Sequence, residues 1–459
     1  MTSVIILASA GIASMFAGIF RAKNLALPLV LMSCIAALAL IMFRYNGGYE
    51  SLMNNMLLFD TLSHGFSIIM ILLAMGVLAI SRYYYRENID HLSDIYALFL
   101  FSLIGGILSV SYQNLVMLFI GIEALSIPLY ILAGSNRRNL FSNEAGLKYF
   151  LMGSFATCFL LLGITFIYGT AYSFDMTQIA EYVQSQPEGL PPMFVIGCVL
   201  ILGAFIIKIS AVPFHFWAPD VYQGAPTVIT AFMATVVKVA AFGALLRFLE
   251  QTLMTQSGIW QDMITIVAIL TLIVGNVLAL YQQNFKRMLA YSGIANAGYV
   301  LVAICATNAL TSEYILYYLA AYGIASLIAF AIYTIVKEQT GVDSIDGLKG
   351  LFAHNKFLGI TLAISMLSLS GIPPMAGFFG KYAVFSNAID GGVIWPVIIA
   401  VLTSLVGVYY YLRVMAISFT AGEMPKVKLG AGYTVVLLVA AAILLLLGIL
   451  PDLFTSLIA

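Results

Sequence analysis

Apolar runs close to the ~20 residues that an α-helix needs to cross a bilayer recur along the whole of this 459-residue chain. No exposed peptide group can be satisfied in hydrocarbon, so only helices or a closed barrel span it. The runs are too long and too evenly apolar for the ~10-residue alternating strands of an outer-membrane barrel. Composition agrees, with 62% of residues hydrophobic and 9% charged, against the ~25% charged of a soluble domain. The expected fold class is an all-α integral membrane protein.

About fourteen spans are expected, near residues 3–20, 25–43, 63–81, 93–111, 114–133, 147–172, 194–214, 227–248, 263–281, 289–308, 313–336, 357–389, 394–420 and 430–451. The twelfth is too long for one straight crossing and contains "SGIPPMAG", where Pro373 and Pro374 remove two amide donors. The seventh contains Pro213. Broken helices are expected in both. Alternate loops place Arg21, Lys23, Arg82, Arg86, Arg137, Arg138, Lys286, Arg287, Lys337, Lys349, Lys356, Lys426 and Lys428 on one side, and Arg44 and Arg247 on the other. Basic residues favour the cytoplasmic side, so both termini are expected outside. Met1-Thr2-Ser3 lacks a basic n-region, and the first span is expected to stay in the protein.

Some function classes drop out. Lys+Arg and Asp+Glu number 20 each, leaving no basic surplus to hold nucleic acid. The four cysteines, Cys34, Cys158, Cys198 and Cys305, lie singly in apolar segments and read as small core residues. There is no GxGxxG after a strand, and "MAGFFGKY" has Met375 and Tyr382 where a phosphate-binding loop needs Gly and Ser or Thr.

Two stretches resemble each other. "LFIGIEALSIPLY" (118–130) pairs with "AYSGIANAGYVLV" (290–302) through a Gly-Ile step, and "ISAVPF" (209–214) with "LSGIPP" (369–374). The order holds across spans 4–8 and 9–13, and five being odd, the second block enters the membrane from the opposite face, as in the inverted repeats of many transporters. The expected organisation is a three-helix segment (1–92), a first repeat (93–248), a second inverted repeat (263–420) and a C-terminal helix (421–459).

Four charged residues form an intramembrane set. Lys208 lies ~21 Å along its span and Lys238 ~16 Å along the next, both near the middle of a ~30 Å core. Glu123 is similarly deep, and Lys381 follows the double-proline break. A central lysine costs ~2.5–3.5 kcal/mol, so three cost about 8–10 against a stability of ~5–15. One deep carboxylate neutralises only one of them, so an ion-pair account leaves two unexplained. Burial disfavours a lysine's charged form, which suits it to proton relay, and a nearby carboxylate restores that form. Broken helices imply water beside these lysines. His215 reads equally as a relay or as a polar anchor. Glu144 and Lys148, one turn apart, read as a helix pair or as a proton-entry site. Arg413 reads as a structural partner or a snorkelling residue.

In "ISAVPFHFWAPDVYQGAPT" (209–227), "KRMLAYSGIANAGY" (286–299) and "SGIPPMAGFFGKY" (370–382) the chain closely resembles the antiporter-like membrane subunits of proton-pumping NADH:quinone oxidoreductase, respiratory complex I. The resemblance covers nearly the whole chain. It implies a Glu–Lys pair at Glu123 and Lys208, a central relay lysine at Lys238 and an exit lysine at Lys381. Lys381 fits the N type, since the M type implies a glutamate there and the L type a much longer chain with a lateral helix. Asn296 stands where the family often has histidine, so the wire there is expected to run through water. The implied function is proton translocation in a bacterial inner membrane, coupled to quinone reduction in partner subunits. Those membrane and peripheral partners would carry NADH, FMN, iron–sulfur clusters and quinone, with no cofactor or metal on this chain. A subunit of a multisubunit cation/proton antiporter is the alternative, and a structural scaffold the third reading.

Overall fold

The computed structural model describes residues 1–45, 50–85, 91–186, 189–254, 256–306, 308, 311–422 and 429–451. Arg86, Lys426 and Lys428, counted above for orientation, lie outside them. The elements begin with α1 (Thr2–Ile19), α2 (Lys23–Arg44), β1 (Glu50–Leu52), β2 (Leu57–Phe59), α3 (Thr61–Tyr84), α4 (Leu92–Val110), α5 (Leu115–Ala133) and α6 (Leu140–Ala171). Then come α7 (Met176–Gln184), α8 (Pro192–Lys208), α9 (Trp217–Gly224), α10 (Thr227–Phe232) and α11 (Lys238–Phe248), with π-turns at Met233–Val237 and Leu249–Leu253. The rest is α12 (Ser257–Leu280), α13 (Phe285–Ile304), α14 (Thr311–Thr340), a 3-10 turn (Ile345–Leu348), α15 (Leu351–His354), α16 (Lys356–Ser370), α17 (Ala376–Asp390), α18 (Ile394–Phe419) and α19 (Ala431–Ile449).

Twelve helices among the described residues are long and apolar enough to cross a membrane. The twelfth expected span is divided into α16 and α17, while the seventh stops being helical at the end of α8, and α9 follows beyond its expected bound. Both breaks start before their prolines. α8 ends at Lys208, and Ser210 takes the left-handed conformation at φ +58°. α16 ends at Ser370 and is closed by Gly371 at φ +78°, the usual left-handed helix stop. Pro213, Pro373 and Pro374 therefore bar the helix from resuming rather than cutting it.

By packing, the chain divides into two compact units, each discontinuous in sequence. The first comprises 1–75, 88–210 and 236–264, and the second 76–87, 211–235 and 265–459. The chain leaves the first unit at Ser210, inside the first break, so residues 211–235 of the expected first repeat pack with the second unit.

Each unit contains the same local device. In the first, Asn114 caps α5, and Leu115 N donates to Phe174 O (2.9 Å) while Met176 N donates to Gln113 O (2.9 Å). In the second, Asn284 caps α13, and Phe285 N donates to Asp343 O (3.2 Å) while Ile345 N donates to Gln283 O (2.8 Å). Each device ties the start of one helix to the chain that leaves the next. Helix contacts repeat too: a Cβ on Gly105 would lie 2.0 Å from Leu125 N, and one on Gly275 2.6 Å from Ala295 N. These pairs and the capping asparagines are all 170 residues apart. The Gly-Ile match places Gly121 against Gly293, so the structural register differs from it by two residues and aligns Glu123 with Gly293 and Ser126 with Asn296.

Gly105→Ala is expected to destabilise the protein by about 1–3 kcal/mol, because a backbone nitrogen cannot step aside as a flexible side chain can. Gly258→Ala, with nothing within 4 Å, is expected to stay within ~0.5 kcal/mol. Thermal unfolding of the two purified variants against wild type checks the difference.

Candidate functional site

The sequence-predicted charges fall in separate settings, three in the first unit and one in the second. Glu123 sits midway along α5 and accepts a hydrogen bond from Thr157 Oγ1 of α6 at 2.5 Å. Lys208 is the last residue of α8, and its ammonium donates to Ser126 Oγ at 2.9 Å and Tyr130 Oη at 3.2 Å. Glu123, Ser126 and Tyr130 are spaced i, i+3 and i+7, so they form one stripe on α5. The expected Glu–Lys pair is thus two stations on one stripe, with no ion pair between Glu123 and Lys208 among the described residues. Gly153 keeps Tyr130 in place, since a Cβ there would lie 1.9 Å from the phenol oxygen.

Lys238 opens α11 directly after the first π-turn and is 4% exposed. The Thr227–Leu253 segment carrying it has an apolar window that is wholly buried in protein, so this lysine does not reach lipid. A π-turn widens the helix locally, a distortion common at functional positions.

Lys381, 7% exposed, sits on α17 of the second unit. Its ammonium donates to Ser370 O at 3.0 Å and Leu369 O at 3.1 Å, the last carbonyls of α16. A helix end leaves such carbonyls unpaired and carries negative dipole, so the break itself makes the lysine's seat. Gly371 is required twice over: its φ is left-handed, and a Cβ would meet Lys381 Cδ at 2.8 Å. The Tyr299 ring centroid lies 4.9 Å from the ammonium. Lys381 also borders a small cavity with Asn296, Tyr318, Tyr322, Ser368 and Gly377 that has room for about one water.

Asn296 is fully engaged at that cavity. Its Nδ2 donates to Ser292 O (2.7 Å) and Tyr411 Oη (3.2 Å), while its Oδ1 accepts from Tyr318 Oη (2.5 Å). The backbone carbonyl can only accept, which fixes the orientation of the amide. Ser292 and Tyr411 share a hydroxyl–hydroxyl bond.

The remaining candidates stand apart. Glu144 and Lys148 form an i,i+4 pair at 2.7 Å whose side chains are 55% and 39% exposed. His215 lies in the irregular turn of the first break, with Nδ1 buried and no hydrogen-bond partner among the described residues. Arg413 is half-buried on α18.

Two buried cations were missed because position alone assigned them to loops. Arg247 is 1% exposed, bonded through Nε to Val110 O (2.7 Å) and through Nη2 to Asp60 (2.5 Å). Lys286, equally buried, donates to Ala225 O at 2.6 Å beyond the end of α9, while Arg287 pairs with Asp220 at 2.6 Å. Together they clamp the short helix that follows the first break. The available signal was the apolar sequence around each, "GALLRFLE" and "NFKRMLAY".

Residues 112–407 match the family model of the NADH:quinone oxidoreductase/Mrp antiporter transmembrane region. The chain is 42% identical to NADH-quinone oxidoreductase subunit N of Cytophaga hutchinsonii, over 98% of both chains. It is 37% identical to the subunit N of Flavobacterium psychrophilum over the full length of both. Among solved structures it resembles a chain of respiratory complex I from Thermus thermophilus, at TM-score 0.85 and 32% identity over 99% of each chain. A chain of the Mrp complex from Dietzia has the same fold at TM-score 0.88 and 19% identity, over 99% of this chain and 94% of that one. With these matches spanning both units, the chain belongs to the NADH-quinone oxidoreductase subunit N family of antiporter-like membrane proteins.

Proposed function

We propose that this chain moves protons across a bacterial inner membrane through Glu123, Lys208, Lys238 and Lys381, as a subunit whose partners carry out NADH oxidation and quinone reduction. In this reading the chain performs no redox chemistry, and NADH, FMN, iron–sulfur clusters and quinone belong to other subunits. Both termini lie on the outer side. The observation that carries the reading is Lys381 on the carbonyl end of a broken helix beside a water-sized cavity.

That seat suits a proton carrier. The two carbonyls stabilise the ammonium, whereas burial among apolar side chains opposes its charge, so neither form is locked. Lys208 is supported in the same manner by two hydroxyls, which donate to a neutral amine or accept from a charged one. Glu123 stands one turn away. A unit charge ~7 Å from an ammonium alters its energy by about 2 kcal/mol at an effective dielectric of ~20. That is enough to bias a lysine between holding and releasing its proton without a direct contact. Thr157 Oγ1 donates to the Glu123 carboxylate and holds it on the stripe.

Glu123→Gln is expected to keep the Thr157 hydrogen bond and normal assembly while coupled turnover falls about tenfold or more, because only the charge is removed. Quinone-dependent NADH oxidation and pH-gradient formation, measured together in proteoliposomes, check this, and full activity would assign Glu123 to packing.

Lys381→Arg is expected to be as damaging as Lys381→Met, at least a tenfold loss of gradient formation in each, since guanidinium stays protonated at any accessible pH. Activity with Arg but not with Met would make the residue a fixed counter-charge. Flavin and iron–sulfur clusters copurifying with the chain support the oxidoreductase assembly; their absence favours a cation/proton antiporter.

A further inference from the structure

Three kinds of neighbour surround the Lys381 ammonium in the second unit, and they answer differently to its charge. Leu369 O and Ser370 O accept two of its N–H groups. A neutral amine still carries two, so both carbonyls keep a donor in either form. The water-sized cavity also suits either form, because a water accepts from an ammonium and donates to an amine lone pair. The Tyr299 ring is the third neighbour, its centroid 4.9 Å from Nζ, and it is not part of the cavity wall. An aromatic face is negative, so within ~6 Å it attracts a cation and repels a lone pair.

The ring is held in place from several helices of the same unit. Tyr299 is 2% exposed on α13. A glycine lets α12 and α13 meet at backbone distance there: a Cβ on Gly298 would lie 2.9 Å from Leu272 Cγ and 3.1 Å from Leu272 N. From α12, the fully buried Asn276 donates through Nδ2 to Tyr299 Oη (3.3 Å) and to Leu272 O (2.9 Å). Its Oδ1 accepts from Tyr410 Oη of α18 (3.2 Å). The Leu272 carbonyl can only accept, so this amide is oriented as firmly as that of Asn296. From α17, one turn beyond Lys381, Phe385 meets the ring nearly edge-on, at a centroid distance of 5.8 Å and an angle of 65°. Uncharged groups thus fix the phenol end and the ring edge, and Lys381 is the cation on the ring face.

We propose that Tyr299 is a positioning residue for proton transfer at Lys381: its ring holds the ammonium against the end of α16 and, once the proton has left, turns the amine lone pair toward the cavity. The inference rests on the proton-translocating reading given above, and deepens it by naming the residue through which the seat tells a loaded lysine from an empty one. When Nζ gives a proton to a cavity water, two N–H groups remain for Leu369 O and Ser370 O, and the electron pair of the broken N–H bond stays on nitrogen. Of the directions left to that pair, one meets the negative ring face and the other meets water. The ring closes the first, so the next proton arrives from the water side. Tyr299 itself gives and takes no proton in this step.

The test uses the whole complex in proteoliposomes, with Tyr299 replaced by Leu, by Phe, and by phenylalanine bearing one, two or three fluorines. Fluorine withdraws electrons from the ring face while leaving the ring's shape nearly intact, so a role in packing does not follow the series. Tyr299→Leu is expected to slow gradient formation about fivefold or more with assembly retained, Tyr299→Phe to restore most of that loss, and each added fluorine to take part of it away again. A flat fluorine series overturns the proposal even where Tyr299→Leu assembles poorly. A collapse already complete in Tyr299→Phe overturns it too, because the role then belongs to the hydroxyl. Lys381→Met separates this from failure of the underlying reading: normal pumping there refutes the relay, whereas collapse there with a flat fluorine series refutes only the role of Tyr299.

Discussion

A cation at membrane depth needs oxygen atoms around it, and an intact helix has none to spare, because its carbonyls are already bonded to its own amides. The architecture of both units answers that shortage. Lys381 obtains Leu369 O and Ser370 O because α16 stops there, and α16 stops because Gly371 turns left-handed and prolines follow. Lys208 stands at the stop of α8 and finds its oxygens on the next helix instead, at Ser126 and Tyr130. Helix interruption and buried charge are thus a single feature. Removing the break would remove the seat, and filling Gly371 would push the lysine from it.

The same economy governs the rest of the polar interior. Arg247 is tolerated because Asp60 and Val110 O meet it, and Lys286 because the chain beyond α9 leaves Ala225 O free. Breaking a buried pair leaves an uncompensated charge, which is far more costly than never having had the pair. At α9, Lys286 holds Ala225 O and Arg287 holds Asp220, so two side chains of α13 tie down the short helix after the break.

Much of this was legible in the sequence. The apolar runs gave the helices, and Pro213, Pro373 and Pro374 marked both interruptions by standing close to Lys208 and Lys381, since Pro28 and Pro128 lie inside the unbroken helices α2 and α5. Glu123 falls midway along α5, as counting along its span gives, whereas Lys208 is the last residue of α8 and Lys238 the first of α11. What failed had local causes. The caps at Asn114 and Asn284 and the matching glycine contacts recur at a spacing of 170 residues, two fewer than the Gly-Ile match, because a Gly-Ile step is common in apolar helices while capping residues lie in loops. Arg247 and Lys286 were taken for loop cations because charge near a span end is read as exposed. The β1–β2 hairpin, three residues per strand, is too short for any periodic signal. Direct contact of Glu123 with Lys208 was not to be had from depth alone, since depth fixes height along a helix and not the side-chain partner.

Asn296 has a consequence of a different kind. Hydroxyl groups in a hydrogen-bonded chain can all rotate and so reverse the direction in which the chain points. An amide cannot: its oxygen faces Tyr318 and its nitrogen faces Ser292 O and Tyr411, and the carbonyl forbids the opposite arrangement. The Tyr318 hydroxyl is held with its proton directed at Asn296, and the whole Tyr318–Asn296–Tyr411 row keeps one polarity. The cavity beside Lys381 therefore lies next to a row of dipoles whose direction the amide fixes, unlike a chain of hydroxyls that could reverse.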